Sequence, residues 1–261
     1  MSARFKSADW YDTPQYYDIV FGVDTVIECD FLERMRDWYG QSRGKRVLEP
    51  ACGSGRLVEE MARRGYAVTG FDRSEPMVQY ARARLVCHGL RAPLHICELD
   101  EFDYRRSFDL AHCLVSTFKY LRSERSARSH LQCVASSLKR GGVYVLGFHL
   151  SQYGSVSKTR ERWVAARDGT KVTCNSQFWP PVASRRAERA RARLTIEERG
   201  RTRRMETNWL FRTYDAAQVR RLLRSVPVLE HVATYDFTYD VGKRRDLSDD
   251  QLDVVLILRR T

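Results

Sequence analysis

The stretch VLEPACGSGRL, residues 47–57, decides the fold of this chain. It begins with apolar residues that predict the end of a buried strand, and the acidic residue Glu49 stops that strand. Gly53 and Gly55 then allow a tight turn and a close approach of the backbone to a ligand, because neither residue carries a Cβ. A helix is predicted to begin at Arg56. A glycine loop between a parallel strand and the N-terminus of a helix indicates a nucleotide-binding site.

A dinucleotide-binding fold is one alternative for this loop, because that fold also places an acidic residue about 20 residues beyond its glycines. Two residues argue against it. Val58 occupies the place of the third glycine of a G-x-G-x-x-G motif. Glu49 would lie where the pyrophosphate has to lie, and a carboxylate repels a diphosphate but attracts a cationic amino group. The dinucleotide remains the rival ligand.

A second acidic residue follows the next predicted strand. Residues 67–71 read as that strand and Asp72 ends it, so its carboxylate can accept hydrogen bonds from both hydroxyls of a ribose. Ser74 is the predicted N-cap of the following helix. Together with Glu49 and the glycine loop, this arrangement resembles the class I S-adenosylmethionine-dependent methyltransferases. The resemblance implies S-adenosyl-L-methionine as the cofactor and S-adenosyl-L-homocysteine as the product.

The resemblance extends to two later segments. A third strand is predicted over residues 93–97, and in this family the turn after it presents an acid to the adenine amino group; aligned on Phe102, that acid is Glu98, with Asp100 as the second choice. A fourth strand is predicted over residues 107–114, and backbone carbonyls at its end would contact the amino end of the cofactor. The cofactor-binding residues that the resemblance implies are Glu49, Ala51, Gly53, Gly55, Asp72, Arg73, Met77, Glu98, Leu99, Cys113 and Leu114. A core position is the alternative for Met77.

The rest of the chain alternates predicted helices and strands, which is the pattern of a parallel sheet covered on both faces. These elements are a helix (121–138) ended by Gly141 and Gly142, a strand (143–148), a helix (215–224) and two last strands (228–238 and 252–258). In this family the last two strands close the sheet, and one of them lies antiparallel. The predicted fold class is α/β: a doubly wound, mostly parallel seven-stranded sheet, Rossmann-like, with an antiparallel β insert and an N-terminal helical lid.

These predictions divide the chain into three parts. Residues 1–44 are the predicted lid, in which an amphipathic helix carries Ile27, Phe31, Met35 and Trp38 on one face. Residues 45–150 and 214–261 are the predicted Rossmann-like, S-adenosylmethionine-binding methyltransferase domain. Residues 151–213 are the predicted β insert, which covers the substrate or mediates dimer formation.

The insert carries most of the basic excess of the chain. The net charge is +12, and residues 151–213 contribute +9 of it through 15 basic and 6 acidic residues. Apolar and polar side chains alternate over residues 189–198 and 205–211, which predicts a long hairpin with one buried face. Clustered bases are expected of a nucleic-acid-binding surface, but charged edge strands also prevent aggregation. We favour a solvated strand face, so nucleic acid is an alternative partner that the sequence does not favour.

Aromatic residues near the N-terminus suggest a cover for the cofactor. In related small-molecule methyltransferases, a Tyr-Asp segment of this kind folds over the cofactor as a lid. Tyr16, Tyr17 and Phe21 are the candidates to stabilise a sulfonium charge, and packing against the insert is their alternative role.

His149 follows the fifth strand at the carboxyl edge of the sheet, where ligand sites form, and is the candidate general base. The predicted catalytic residues are His149, Tyr16 and Tyr17, and unranked candidates for the acceptor pocket are Trp179, Asn208 and Arg212.

Composition sets the remaining expectations. The seven cysteines show no C-x-x-C spacing, which predicts reduced thiols, no metal site and a cytoplasmic location. No apolar run reaches the roughly 18 residues that indicate a membrane span, and residues 1–11 lack the apolar stretch of a secretory signal. We therefore expect no membrane partner, and either a monomer or a homodimer.

The functional hypothesis is an S-adenosylmethionine-dependent methyltransferase that moves a methyl group to an O or N atom of a small-molecule acceptor. An RNA or protein methyltransferase that uses the basic insert is the first alternative. Many small-molecule members carry an Asn after the fourth strand, and residues 115–120 of this chain contain none. A non-catalytic module that binds S-adenosylmethionine is therefore the second alternative.

Overall fold

The computed structural model describes residues 4–261. In chain order its strands are β1 (Lys6–Ser7), β2 (Arg46–Pro50), β3 (Ala67–Asp72), β4 (Leu94–Ile96), β5 (Phe108–Cys113), β6 (Leu138–His149), β7 (Thr159–Arg167), β8 (Thr170–Phe178), β9 (Ala187–Glu198), β10 (Arg201–Arg212), β11 (Leu229–Tyr235) and β12 (Asp253–Arg260). Its α-helices are α1 (Pro14–Phe21), α2 (Thr25–Tyr39), α3 (Arg56–Arg63), α4 (Glu75–Cys87), α5 (Glu124–Ser137) and α6 (Ala216–Arg224).

A seven-stranded sheet forms the larger part of the molecule. Its strand order is β11-β12-β6-β5-β2-β3-β4. β12 pairs antiparallel with both of its neighbours, while β6, β5, β2, β3 and β4 pair in parallel. The chain reverses its direction of winding between β2 and β5, so a crevice opens at the carboxyl edge between these two strands. The predicted doubly wound sheet with one antiparallel strand is confirmed.

Side-chain caps fix several of the predicted helix starts. Ser74 accepts a hydrogen bond from the Met77 N–H at the start of α4, and Ser123 accepts one from Ser126 at the start of α5. Asp215 forms a capping box with Gln218 at the start of α6. These caps satisfy N–H groups that have no partner within the first helical turn.

The predicted end of the fifth helix is wrong. The helix ends at Ser137, and Gly141 and Gly142 lie inside β6. β6 already pairs with β5 at Leu138, and the Gly141 carbonyl accepts a hydrogen bond of 2.8 Å from the Gln41 N–H. The two glycines therefore belong to a strand that starts five residues earlier than predicted.

The parallel sheet has a hydrophobic core on each face. Val47 and Leu110 belong to the core under α2, α3 and α4, and Leu48 and Ala111 belong to the core under α5 and α6. Neighbouring residues of one strand thus face opposite layers, because side chains alternate along a strand. Burial on both faces explains why β2 and β5 read as continuous apolar runs.

A second sheet of five strands, in the order β1-β10-β9-β8-β7, contains the predicted insert. Ala190, Ala192, Leu194 and Ile196 of β9 are buried as the alternation predicts, and β9 pairs antiparallel with β10 through the predicted turn at Arg199 and Gly200. β7 is a strand that the sequence did not predict. Its residues are almost all exposed, so it lacks the alternation of apolar and polar residues that marks a half-buried strand.

The N-terminal segment packs between the insert sheet and α4. α1 joins a third cluster of buried side chains with the inner face of the insert sheet. In α2, Phe31 and Met35 are buried as predicted, whereas Ile27 and Trp38 are about half exposed, at 53% and 51%. The buried stripe of α2 is therefore narrower than the sequence predicts. The predicted domain boundaries stay predictions.

Two general features concern the described residues only. Across residues 4–261, no helix combines the length and the hydropathy that crossing a bilayer requires. The same residues contain no group of three or more His, Cys, Asp or Glu side chains placed to bind a metal ion.

Candidate functional site

The glycine loop turns sharply after β2. Ala51, Gly53 and Gly55 all have positive φ angles, of 55°, 52° and 73°. A Cβ on Gly55 would lie 2.6 Å from the Cβ of Ala81 in α4, so this glycine is required for the packing of the loop against that helix. A Cβ on Gly53 would instead find its nearest neighbour 3.9 Å away, at Cε1 of Tyr17. Gly53 therefore leaves the open face of the loop to the N-terminal segment.

The carboxylate of Asp72 fastens this loop to the end of β3. It accepts hydrogen bonds from the N–H groups of Gly53 and Ser74, at 2.9 and 2.8 Å. Burial raises the pKa of Asp72, and these two backbone donors lower it. A carboxylate offers about four lone-pair positions, so Asp72 retains acceptor capacity for a ligand hydroxyl.

Glu49 lies buried at the tip of β2 with an acceptor that has no partner. Its Oε2 atom makes no hydrogen bond within the described residues, and its closest charged or titratable contact is Nε2 of His112, at 4.0 Å. Burial raises the pKa of Glu49 well above its usual range, and nearby Arg56 opposes that shift. Arg56 is itself paired with Glu28 through both guanidinium nitrogens. The unpartnered Oε2 atom can accept a hydrogen bond from a cationic group.

His112 lies in the core, on the strand next to Glu49. It is fully buried, and burial lowers its pKa to about 3. Its imidazole is therefore neutral, and both of its nitrogens lack a hydrogen-bond partner in the described part of the chain.

The other predicted cofactor residues are distributed unevenly. Met77 is fully buried in the core, and Cys113 and Leu114 are buried at the end of β5. Arg73 and Glu98 are exposed and Leu99 is half-buried. Just beyond β5, Val115 and Ser116 have positive φ angles of 58° and 63°. Strain at such residues persists only where the surroundings enforce it, and it is frequent at functional sites.

A cavity of about 290 Å³ lies above the carboxyl edge of the seven-stranded sheet. Five parts of the chain line it: the N-terminal aromatic segment, the segments after β5 and after β6, the insert, and the start of β12. Its wall combines aromatic rings with the ionisable residues Lys119, His149, Glu161, Glu188 and Asp253. We call this space the acceptor cavity.

The structure brings two of the three predicted catalytic residues to the acceptor cavity. His149 lines it, and Nδ1 of His149 lies 2.6 Å from Oδ1 of Asp253. Tyr17 also lines it, with its ring edge-on to Trp10 at 5.4 Å. Tyr16 does not line it, and a catalytic role for Tyr16 stays a prediction. Its ring is buried against the insert, and its hydroxyl accepts a hydrogen bond from Arg203 at 3.1 Å.

Among the candidates for the acceptor pocket, only Trp179 lines the cavity. Asn208 is exposed and bonds to Glu206, while Arg212 pairs with Glu124 at 2.6 Å.

Several residues of the cavity escaped the sequence analysis because their partners are distant in the chain. The hydroxyls of Tyr11 and Tyr120 lie 2.8 Å apart, and burial raises the pKa of Tyr11 to about 12. Lys119 is 2% exposed and its Nζ lies 2.6 Å from Oε1 of Glu188. The aromatic content of residues 10–21 was a signal for Tyr11, but no local pattern marks Lys119.

The outward arginines of the insert are partly engaged. Arg193 lies 2.6 Å from Glu206, and Arg191 donates to Gln177 at 2.9 Å. The guanidinium carbon of Arg189 lies 3.8 Å from the ring centre of Trp179. These contacts agree with the preferred interpretation of a strand face whose charges are balanced locally.

Sequence comparisons identify related proteins. A family model described as a methyltransferase domain matches residues 47–142. A ubiquinone biosynthesis O-methyltransferase of Aromatoleum aromaticum is 32% identical over 107 residues, which are 40% of this chain and 44% of that protein. A dTDP-4-amino-2,3,4,6-tetradeoxy-D-glucose N,N-dimethyltransferase of Saccharopolyspora spinosa is 28% identical over 158 residues, 56% of this chain and 59% of that protein. The chain spans about half the length of the curated relatives it matches.

A structural comparison covers nearly the whole chain. An S-adenosylmethionine-dependent methyltransferase from Clostridium acetobutylicum has a TM-score of 0.76 at 17% identity, over 96% of this chain and 98% of that one. The chain therefore has the class I S-adenosylmethionine-dependent methyltransferase fold. Residues 47–142 are similar to the methyltransferase domain family. The fold class predicted from the sequence is confirmed.

Proposed function

We propose that this protein is an S-adenosylmethionine-dependent methyltransferase that transfers a methyl group to an O or N atom of a small molecule. The observation that carries the proposal is the position of Tyr17. This residue lies over Gly53 of the glycine loop and also lines the acceptor cavity. A cofactor on the loop would therefore point its reactive end past Tyr17 into the cavity.

The residues of the loop suit the two ends of the cofactor. The free acceptor capacity of Asp72 suits the ribose hydroxyls, and the unpartnered carboxyl oxygen of Glu49 suits the amino end. When bound, S-adenosylmethionine supplies an activated methyl group on a sulfonium. The protein then has to align donor and acceptor and exclude water, and alignment alone contributes up to about 7–11 kcal/mol in favourable model systems.

The walls of the acceptor cavity provide this alignment. The aromatic rings of Trp10, Tyr11 and Tyr17 line the cavity, where they would exclude water and stabilise a positive charge. Because Asp253 contacts Nδ1 of His149, Nε2 is left to take a proton from the acceptor, which is the arrangement of an oriented general base.

The chemistry of the cavity favours a polar acceptor with a hydroxyl or amino group. The carboxylates of Glu161, Glu188 and Asp253 can accept hydrogen bonds from such groups, while Lys119 can donate one. Of the two relatives described above, one is named as an O-methyltransferase and the other as an N,N-dimethyltransferase. Hydroxyl-bearing and amino-bearing acceptors, amino sugars included, are therefore the first to assay. Because the outer arginines of the insert are partly paired, nucleic acid stays the unfavoured alternative.

Calorimetric titration with S-adenosylhomocysteine tests the cofactor assignment. We expect the wild-type protein to bind it and to prefer it to NADH. Asp72→Ala should weaken binding at least tenfold, whereas Asp30→Ala should bind normally, because Asp30 lies exposed on α2 and only pairs with Arg64. Preference for NADH, or equal affinity of Asp72→Ala and wild type, would end the proposal.

Methyl transfer from labelled cofactor to a panel of amines and phenols tests the acceptor chemistry. With the best acceptor, His149→Gln should lower turnover by roughly 10²–10⁴-fold, and Asp253→Asn should lower it in the same direction. Both variants should retain affinity for S-adenosylhomocysteine. If His149→Gln turned over as fast as the wild type, His149 would not be the general base.

A further inference from the structure

The carboxylate of Asp18 lies where four separate elements meet. It belongs to α1 and is fully buried. Oδ1 accepts a hydrogen bond of 2.8 Å from the hydroxyl of Ser54 in the glycine loop. Arg84 of α4 donates to both carboxylate oxygens, at 2.7 and 2.5 Å, and Arg167 of β7 lies 2.7 Å from Oδ2. One side chain thus contacts the cofactor loop, its supporting helix and the insert.

The group at this junction is an anion. Burial raises the pKa of Asp18, but Arg84, Ser54 and Arg167 outweigh burial, so the pKa lies below its usual range. Arg84 also contacts Glu59 at 3.3 Å. Arg167, 40% exposed, contacts no other carboxylate among the described residues. Removing the charge of Asp18 would therefore leave Arg167 without its ion-pair partner.

The neighbours of Asp18 in the chain explain why its position matters. Tyr17 precedes it and lies over Gly53, while Ser54 follows Gly53 in the loop. A shift of the loop would therefore move Ser54 against Asp18 and Gly53 against Tyr17. β7, which holds Arg167, also supplies Glu161 and Trp163 to the wall of the acceptor cavity.

We propose that Asp18 is a positioning residue that couples occupancy of the glycine loop to ordering of α1 and β7, the cover of the acceptor cavity. This inference rests on the proposed function, because S-adenosylhomocysteine is taken as the ligand of the loop. The coupling is reciprocal. A ligand on the glycine loop stabilises the cover. Loss of the ionic contacts of the cover therefore lowers the affinity of the loop for that ligand.

Amide hydrogen exchange with and without saturating S-adenosylhomocysteine measures this coupling. In the wild-type protein, we expect the ligand to protect residues 51–55 and, in addition, α1 and β7. In Ser54→Ala, protection of residues 51–55 should persist while protection of α1 and β7 falls. In Arg167→Gln, only β7 should lose its protection. Both variants keep the remaining contacts of Asp18, so they test the coupling even if Asp18→Asn does not fold.

The affinity for S-adenosylhomocysteine gives a second readout. Asp18→Asn should weaken binding by roughly 5–150-fold, the usual range for coupled sites. Asp12→Asn is the matched control, because Asp12 is an exposed acid in the same segment. It should bind as the wild type does.

The outcomes separate the coupling from the proposed function. Protection of residues 51–55 without any change in α1 and β7 of the wild type would overturn the inference and leave the function standing. Equal losses in Asp12→Asn and Asp18→Asn would also overturn it. Absence of protection throughout the wild-type protein would refute the proposed function, and the inference with it.

Discussion

The glycine loop and the acceptor cavity are built in different ways. The glycine loop and the end of β3 depend on backbone geometry: three positive φ angles in five residues and a carboxylate that accepts from Gly53 and Ser74. The acceptor cavity depends on paired side chains that are far apart in the chain, such as Lys119 and Glu188. The glycine loop should therefore be sensitive to an added Cβ, and the wall of the acceptor cavity to a lost charge.

The largest effect is expected in the wall of the acceptor cavity, for Lys119→Met. Lys119 and Glu188 have side chains only 3% and 11% exposed, so the substitution leaves a nearly buried carboxylate without its partner. Breaking such a pair costs about 3–5 kcal/mol. Urea unfolding of the variant should show a loss of free energy of this size. The double variant Lys119→Met/Glu188→Leu should recover most of it, and a double variant as unstable as the single one would contradict the assignment of the pair.

In the glycine loop, Gly55→Ala should lower the free energy of unfolding more than Gly65→Ala does. Both glycines have positive φ, of 73° and 82°, so the backbone strain of an alanine is similar. Only at Gly55 does the new Cβ meet another atom closely, Cβ of Ala81 at 2.6 Å, whereas nothing lies within 4 Å at Gly65. Overpacking adds about 1–3 kcal/mol. Equal midpoints of urea unfolding for the two variants would show that the loop does not pack tightly on α4.

A smaller loss of stability is expected in acid, from His112 in the core beside β2. The folded-state pKa of His112, about 3, lies below the usual value of 6.5. The unfolded chain therefore binds a proton more readily, and stability present above pH 6.5 is lost as the pH falls towards the folded pKa. Between pH 7 and pH 5 we expect a loss of about 2 kcal/mol from this residue, since one pKa unit corresponds to about 1.4 kcal/mol.

His112→Phe should remove this part of the pH dependence, because His112 has no hydrogen bond to lose. His95→Phe is the control, because His95 is exposed. Unfolding curves at both pH values measure the difference. If the unfolding free energy of His112→Phe changed with pH as much as that of the wild type, His112 would not be kept neutral by burial.

The smallest effect is expected on the outer face of the insert. The pair of Arg193 and Glu206 is partly exposed, at 39% and 23%, and such pairs contribute about 0–1 kcal/mol. The change in unfolding free energy should therefore be several-fold smaller for Arg193→Ala than for Lys119→Met. A loss comparable with that of Lys119→Met would show that the outer arginines are structural.

The same contrast explains what could be predicted from the sequence. The glycine loop, Asp72 and the cap at Ser74 lie within 28 residues of one another in the chain, so local spacing carries their geometry. The buried face of β9 was predictable because alternation is also local. The pairs Tyr11 with Tyr120 and His149 with Asp253 are separated by 109 and 104 residues. Only the folded chain brings them together, and the burial of Tyr16 beside Arg203 of the insert likewise depends on residues that are far apart in the chain.

A crystal structure with S-adenosylhomocysteine would test the central claim most directly, namely that Tyr17 joins the glycine loop to the acceptor cavity. The account predicts ribose hydroxyls on Asp72, the amino group beside Glu49 and the sulfur atom beside Tyr17, facing the cavity lined by His149. A ligand bound away from Gly53, or a sulfur atom separated from the cavity by protein, would contradict it.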